Sequence, residues 1–243
     1  MINEPVRIVA ESFQTAWLEV VKQLMDSHWE LRNLVVHIKN PGTLDQSFHD
    51  KIKTFAKAQE IFDPKHVAYT IFPHKMYKSR RNATALFTAY NKPKGFYDRT
   101  RTGWGTYFRR MTNYVGVNGT VNQLDNIISA IRDRVHLSKA AYVIVIQRPG
   151  GETVRPLGGP CLNYIAIQVE PGETGHPLTL GLLAVYRNHD FLERAYGNYW
   201  GLCNLLRFLA KEVDGISGPL TCISSHAYVS GMKTALRQFM EGL

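Results

Sequence analysis

Three apolar runs of strand length, Ala141–Gln147, Leu162–Val169 and Leu180–Arg187, follow one another in the second half of the chain. Each is bounded by turn residues, so each reads as a strand needing cover on at least one face. The cover is legible upstream. Ile8, Val9, Phe13, Trp17, Val20, Val21 and Leu24 recur at helical spacing and predict a helix over 6–27. Leu44, Phe48, Ile52 and Phe55 predict a second helix, and Val121, Leu124, Ile127, Ile128, Ile131 and Val135 a third, with Asn118 or Thr120 as its cap. Leu34–Ile38, closed by Asn40-Pro41-Gly42, and Val67–Phe72 read as further strands. A long helix over 198–213, a strand near 220–225 and a last helix from about Ser230 complete the pattern. Periodicity fails between Asn91 and Gly119, where Gly, Pro and turn residues gather. Helices first and grouped strands later describe an α+β fold, a large twisted sheet flanked by helices, rather than a repeated βαβ unit.

The chain has 243 residues, 44% of them hydrophobic and 20% charged, which excludes a disordered tail, a collagen-like rod and a disulfide mini-protein. No repeat or composition break divides it, so one domain over 1–243 is expected. The longest apolar stretches, Ala140–Ile146 and Leu182–Tyr186, fall far short of the roughly 18 residues a membrane span needs. No secretory pattern opens the chain. Cys161, Cys203 and Cys222 form neither a C-x-x-C pair nor an even set, so a reducing, cytoplasmic setting is expected. The P-loop, serine-hydrolase and zinc-protease signatures are absent, and the histidines show no metal-ligand spacing, so no metal is expected.

Charge is concentrated. Residues 75–110 carry ten Lys and Arg against one acid, Asp98, a net +9 that equals the whole chain's excess. Eight aromatics are interleaved with them, among them Tyr77, Phe87, Trp104 and Tyr107. Cations attract phosphates and flat rings stack on bases, so the window suits a nucleotide or a single nucleic-acid strand, placed at the mouth of the Cys161 pocket. The plainer alternative is a solvated loop face with the rings in the core.

Cys161 lies in Gly158-Gly159-Pro160-Cys161-Leu162, a turn entering an apolar strand. It reads either as a small buried hydrophobe or as a nucleophile whose thiolate nearby cations hold. Downstream come Tyr186-Arg187-Asn188-His189-Asp190, then Asn198, eleven residues after Arg187, then Ser225-His226-Ala227-Tyr228. In this order the segments resemble the thymidylate synthase and deoxycytidylate hydroxymethylase superfamily: a Pro-Cys turn, an R-S-x-D segment, an Asn, and H-x-Y. Val121–Ile128 is similar to its D-Q-L helix, and Gly103-Trp104-Gly105-Thr106-Tyr107 to its glycine-tyrosine segment.

The resemblance implies a thymidylate synthase-like sheet, a homodimer, and methyl or hydroxymethyl transfer to carbon 5 of a pyrimidine nucleotide, with methylenetetrahydrofolate as donor. It implies that Cys161 adds to ring carbon 6, that Arg187 and Asn188 hold the phosphate, and that Asp190 sits beside the nucleophile. It gives Asn198 the ring edge, His226 and Tyr228 the ribose hydroxyl, and Tyr107 a place in the substrate site. Asp190 as a helix cap, and His226 and Tyr228 facing a neighbouring strand, are the structural alternatives. Four departures accompany it. The family's serine-arginine-arginine segment stands here as Ser138-Lys139-Ala140, leaving Lys139 as the one cation offered across a dimer interface. Arg194 replaces the glycine beside the pterin. Ala83–Phe87 lacks the family's glutamate, and the chain ends without the tail that closes over folate. A non-catalytic nucleotide or single-strand binding protein on the same fold is the other reading.

Overall fold

A computed structural model describes residues 4–92, 104–133, 140–148, 159–173 and 176–243. In chain order the elements are β1 (Arg7–Ala10), α1 (Phe13–Asp26), β2 (Glu30–Ile38), α2 (Gln46–Ala58), α3 (Pro64–Ile71), α4 (His74–Arg80), α5 (Ala83–Tyr90) and α6 (Tyr107–Thr112). Then come β3 (Tyr114–Gly116), β4 (Gly119–Val121), α7 (Gln123–Asp133), β5 (Tyr142–Val145), β6 (Leu162–Glu170) and β7 (Thr179–Tyr186). The last are β8 (His189–Asp190), α8 (Ala195–Glu212), β9 (Ile216–Tyr228) and α9 (Lys233–Glu241). Seven strands form one mixed sheet in the order β1-β2-β9-β7-β6-β5, with β8 beside β9, and β3 and β4 pair as a separate hairpin. This is the α+β architecture that the sequence predicts. Among the described residues no helix is long and apolar enough to cross a membrane.

Helix α8 organises the interior. All 18 of its residues are buried except Trp200, Arg207 and Lys211, the mark of a helix packed on every side. Helix α3 approaches it at Gly197 and Gly201. A Cβ added at Gly197 would stand 2.6 Å from Val67 Cβ and 2.7 Å from Pro64 O; one at Gly201 would stand 2.9 Å from Ala68 O and Ile71 Cβ. Here the glycines serve close approach, with backbone against backbone. Polar groups then lock the start of α8. Gln14 of α1 donates to Tyr196 Oη at 3.0 Å, and Trp17 Nε1 donates to Phe191 O at 3.0 Å. His189 is fully buried and ring-stacked on Tyr186 at 4.0 Å; its Nδ1 faces Ser224 Oγ at 2.9 Å and its Nε2 faces Asn198 Nδ2 at 3.1 Å. One imidazole therefore ties β8, β9 and α8 together.

Several elements differ from the sequence reading. Residues 7–10 are not the start of a helix but a strand, paired in parallel with Val35–Ile38. Helix α1 begins only after Ser12, whose Oγ accepts from Thr15 N at 3.2 Å while Thr15 Oγ1 accepts from Ser12 N at 3.0 Å, a reciprocal cap. The apolar run Val67–Phe72 is helical rather than extended. Pro64 presets the first helical φ, Asp63 accepts from Lys65 N at 2.8 Å, and Val67, Ala68 and Ile71 share the face on α8. Short apolar runs are ambiguous by periodicity alone, and here the tertiary partner decides. Asn122, rather than Asn118 or Thr120, caps α7 by accepting from Asp125 N at 3.1 Å. The aperiodic stretch after Asn91 contains α6, which Thr106 caps by accepting from Arg109 N at 3.2 Å.

Gly197→Ala is expected to lower stability by about 1–3 kcal/mol, the usual cost of overpacking, while Gly231→Ala, with nothing within 4 Å of its added Cβ, changes it little; urea unfolding measures both. Burial holds the His189 pKa at about 3 instead of 6.5, so the folded ring stays neutral where the unfolded ring takes a proton. The unfolded state thus binds more protons below pH 6.5, and stability falls as pH drops from there toward 3. Thermal unfolding between pH 7 and pH 4 should show this slope, at most about 1.4 kcal/mol per pH unit from one group. His189→Gln should reduce the slope without abolishing it, since burial lowers His49, His74 and His226 too.

Candidate active site

Cys161 stands immediately before β6, opposite the break between β7 and β8. Its carbonyl accepts from Arg187 N at 2.9 Å, and Pro160 O accepts from Arg187 Nε at 3.2 Å. Thiol and guanidinium are therefore fixed by adjoining strand ends. Tyr107, at the start of α6, is buried and supports this turn from within: its hydroxyl accepts from the amides of Cys161 at 3.3 Å and Leu162 at 3.4 Å. Burial pushes the Tyr107 pKa up to about 12, so the hydroxyl stays protonated.

The break interrupts pairing without a change of register. Tyr186 pairs with Ser224 and His189 with Ala227, so Arg187 and Asn188 fall between the two ladders on β9. They stand opposite Ser225 and His226, outside the paired ladder. Asn188 Oδ1 lies 2.7 Å from His226 Nδ1, and its Nδ2 donates to Tyr228 Oη at 3.4 Å. The His226 and Tyr228 rings stack at 5.0 Å, and His226 Nε2 lies 3.1 Å from Glu30 Oε1 on the neighbouring strand β2. Asn188, His226 and Tyr228 thus form one polar chain on the same sheet end as Cys161. Asp190 caps the following turn, its Oδ1 accepting from Leu192 N at 2.9 Å.

Opposing effects set the thiol. Partial burial pushes its pKa above the ordinary 9.0; Arg187 and Arg194 pull it down, and Asp190 pushes it up. Burial wins, so the thiol is protonated at neutral pH, yet it has two cations within electrostatic reach. Arg194 is the residue before α8, with its guanidinium 3.6 Å over the Phe62 ring. Asn198 follows it by one helical turn on the same face and is buried, 4% exposed. Its amide donates to neutral His189, which leaves the carbonyl oxygen turned the other way. Cys203 and Cys222 are fully buried, and burial raises both far above the ordinary thiol value.

The structure brings together Cys161, Tyr107, Arg187, Asn188, Asp190, His226 and Tyr228, with Asn198 on the adjoining helix. Lys139 lies outside the described residues. The sequence reading missed three groups: Arg194 as a cation on the thiol, His189 as the holder of Asn198, and Glu30 as the partner of His226. Arg194 was visible only as a departure, although its place four residues before Asn198 puts both on one helical face.

Among the described residues the basic window does not form one surface at this pocket. Residues 93–103 lie outside the described residues, and the rest of the window divides. Lys78 and Arg81, on and just after α4, line a cavity with Arg207 and Lys211, about 20 Å along α8 from Arg194. Arg110 donates to the backbone oxygens of Trp104 and Ile146, and Arg109 to Asn91 Oδ1. Tyr77, Phe87, Tyr90, Tyr107 and Phe108 are core residues, so their ring faces are spent on packing. Among the described residues no group of three or more His, Cys, Asp or Glu converges as a metal ion would need.

No family model matches the chain. It is similar to a protein of Methanosarcina barkeri (strain Fusaro) named "Putative thymidylate synthase", 27% identical over 124 residues. It is also similar to one of the same name from Methanosarcina mazei, 29% identical over 124 residues. Each match covers 51% of this chain and 52% of the relative, so the chain spans about half the length of the curated relatives it matches. Together with the sheet and the site at its end, these matches support a distant thymidylate synthase-like relationship.

Proposed function

We propose that this protein is an enzyme acting on carbon 5 of a pyrimidine nucleotide, with Cys161 as its covalent nucleophile. The observation that carries the reading is the joined pair Cys161 and Arg187, a thiol beside a guanidinium on adjoining strand ends. The names of the two relatives point to the same chemistry.

The Cys161 thiolate adds to ring carbon 6, and the electron pair of the 5,6 double bond moves onto carbon 5 and the carbonyl at carbon 4. Carbon 5 then bonds an electrophile, a proton or a one-carbon unit. Loss of the original carbon 5 proton and departure of the thiolate restore the double bond. Arg187 binds the phosphate by charge-assisted hydrogen bonds, and together with Arg194 it favours the thiolate. Asn198 accepts from the ring N–H through the carbonyl that His189 turns toward it, which suits uracil over cytosine. His226, Tyr228 and Asn188 hold the sugar hydroxyl and phosphate edge, Asp190 borders the nucleophile, and Tyr107 positions its turn. The resemblance also gives a homodimer with Lys139 reaching the partner's phosphate site.

The same resemblance brings methylenetetrahydrofolate as carbon donor. The residues present do not fit its flat ring at the family's position, because Arg194 stands there packed on Phe62. No step is routed through that donor, and the identity of the electrophile is left to the test.

Four outcomes follow for the isolated protein. Deuterium at carbon 5 of uridine or deoxyuridine monophosphate should exchange with solvent, and Cys161→Ala should abolish the exchange; mass spectrometry reads it, and full exchange by the variant would refute the covalent step. Because the thiol pKa lies above 9.0, the rate should rise with pH from 7 to 9. Arg187→Ala should weaken nucleotide binding roughly 10- to 150-fold, the worth of a charged hydrogen bond, with little change for the free nucleoside. Iodoacetamide should modify Cys161 first, with Cys203 and Cys222 protected by burial, and bound nucleotide should slow it.

A further inference from the structure

The cavity at the C-terminal end of α8 holds about 860 Å³, within the size range of small-molecule sites. Lys78 on α4 and Arg81 just after it border it on one side, and Arg207 and Lys211 of α8 on the other. All four are exposed at the rim. Asp214 is the one carboxylate of the described lining, and none of the four cations has an ion pair among the described residues. The positive field is felt inside: His74 is lowered by burial, and Lys78 and Arg207 lower it further.

Asn204 marks the floor. It lines the cavity, is only 5% exposed, and its side chain makes no hydrogen bond with any described residue. Its amide is not sealed inside the protein but stands open toward the cavity, where a ligand or solvent can meet it. Arg207 and Lys211 follow Asn204 by three and seven residues, which puts amide and cations on one helical face. The carbonyls at the helix end are already spent, since Val213 and Gly215 donate to Ala210 O and Asp214 to Lys211 O.

We propose that this cavity is a second ligand site, separate from the Cys161 pocket, that binds a small molecule carrying a triphosphate group. Four cations spread over two helices exceed what one phosphate engages, and arginine forks match phosphate oxygens. A nucleic-acid strand fits less well: the lining rings Phe72, Tyr77 and Phe208 are 1%, 6% and 2% exposed, so they offer no faces for stacked bases.

Isothermal titration of the whole chain at low salt tests this with orthophosphate, inorganic triphosphate, a nucleoside triphosphate and oligodeoxythymidylate. Both triphosphates should bind one per chain, at least tenfold tighter than orthophosphate; a tighter nucleoside triphosphate would add base or sugar recognition, and equal affinity would confine the site to the oligophosphate. The double variant Lys78→Glu, Arg81→Glu, changed only at exposed positions, should weaken binding at least tenfold, and Asn204→Asp should weaken it likewise with thermal unfolding as the check on folding. Arg187→Ala should leave it unchanged. Unaltered affinity in the double variant, loss of binding in Arg187→Ala, or tighter binding of the oligonucleotide than of triphosphate would each overturn the proposal. A failure of exchange at carbon 5 would not touch it, because the two sites share no residue.

Discussion

The contact between α3 and α8 at Gly197 and Gly201 carries much of the rest of the structure. Because two glycines let the helices meet backbone to backbone, α8 can sink until nearly every side chain on it is covered. That depth brings its first turn level with the ends of β7 and β9. Asn198 then meets His189, and Arg194 comes within electrostatic reach of Cys161. A wider helix spacing would leave the strand ends without their second wall. The same depth brings the far end of α8 against α4, where Tyr77 donates to the buried Glu212 at 2.7 Å and Arg132 pairs with its other oxygen at 3.0 Å.

The site itself depends on a fault in pairing. Strands β7 and β8 both run parallel to β9, but two residues between them, Arg187 and Asn188, find no place in the ladder. The register is the same on both sides of the gap, so the two residues stand opposite Ser225 and His226 outside the ladder. The break gives Arg187 to the Pro160-Cys161 turn and Asn188 to His226 and Tyr228. The thiol is caught between burial, which holds it neutral, and two guanidinium groups, which draw it toward the thiolate.

Much of this was legible from residue patterns. The strands β6, β7 and β9 and the helices α2 and α8 follow from periodicity, and the spacing from Cys161 through Arg187 and Asn198 to Tyr228 picked out residues that do converge. What failed, failed for identifiable reasons. Val67–Phe72 is β-branched and aromatic at its ends, yet its partner is a glycine-lined helix, and tertiary packing overrode the local preference. Ile8 and Val9 extend a helical pattern by accident of spacing, while the ladder with β2 claims them. The 75–110 window reads as continuous along the chain, whereas among its described cations Lys78 and Arg81 line a cavity with Arg207 and Lys211, and Arg109 and Arg110 bond to Asn91 and to backbone oxygens.

Residue order alone determined the fold class, since apolar spacing and turn chemistry are local properties that survive in an unfolded chain. It also determined which chemical groups are available, a thiol, a guanidinium and an ordered set of polar partners. Only the tertiary structure decided how those groups act on one another. Burial against cationic charge at Cys161, the imidazole that orients Asn198, and the open amide of Asn204 under four cations are all set by distances across the fold. Electrostatic and desolvation effects depend on what surrounds a group in space, and neighbours in space are not neighbours in sequence.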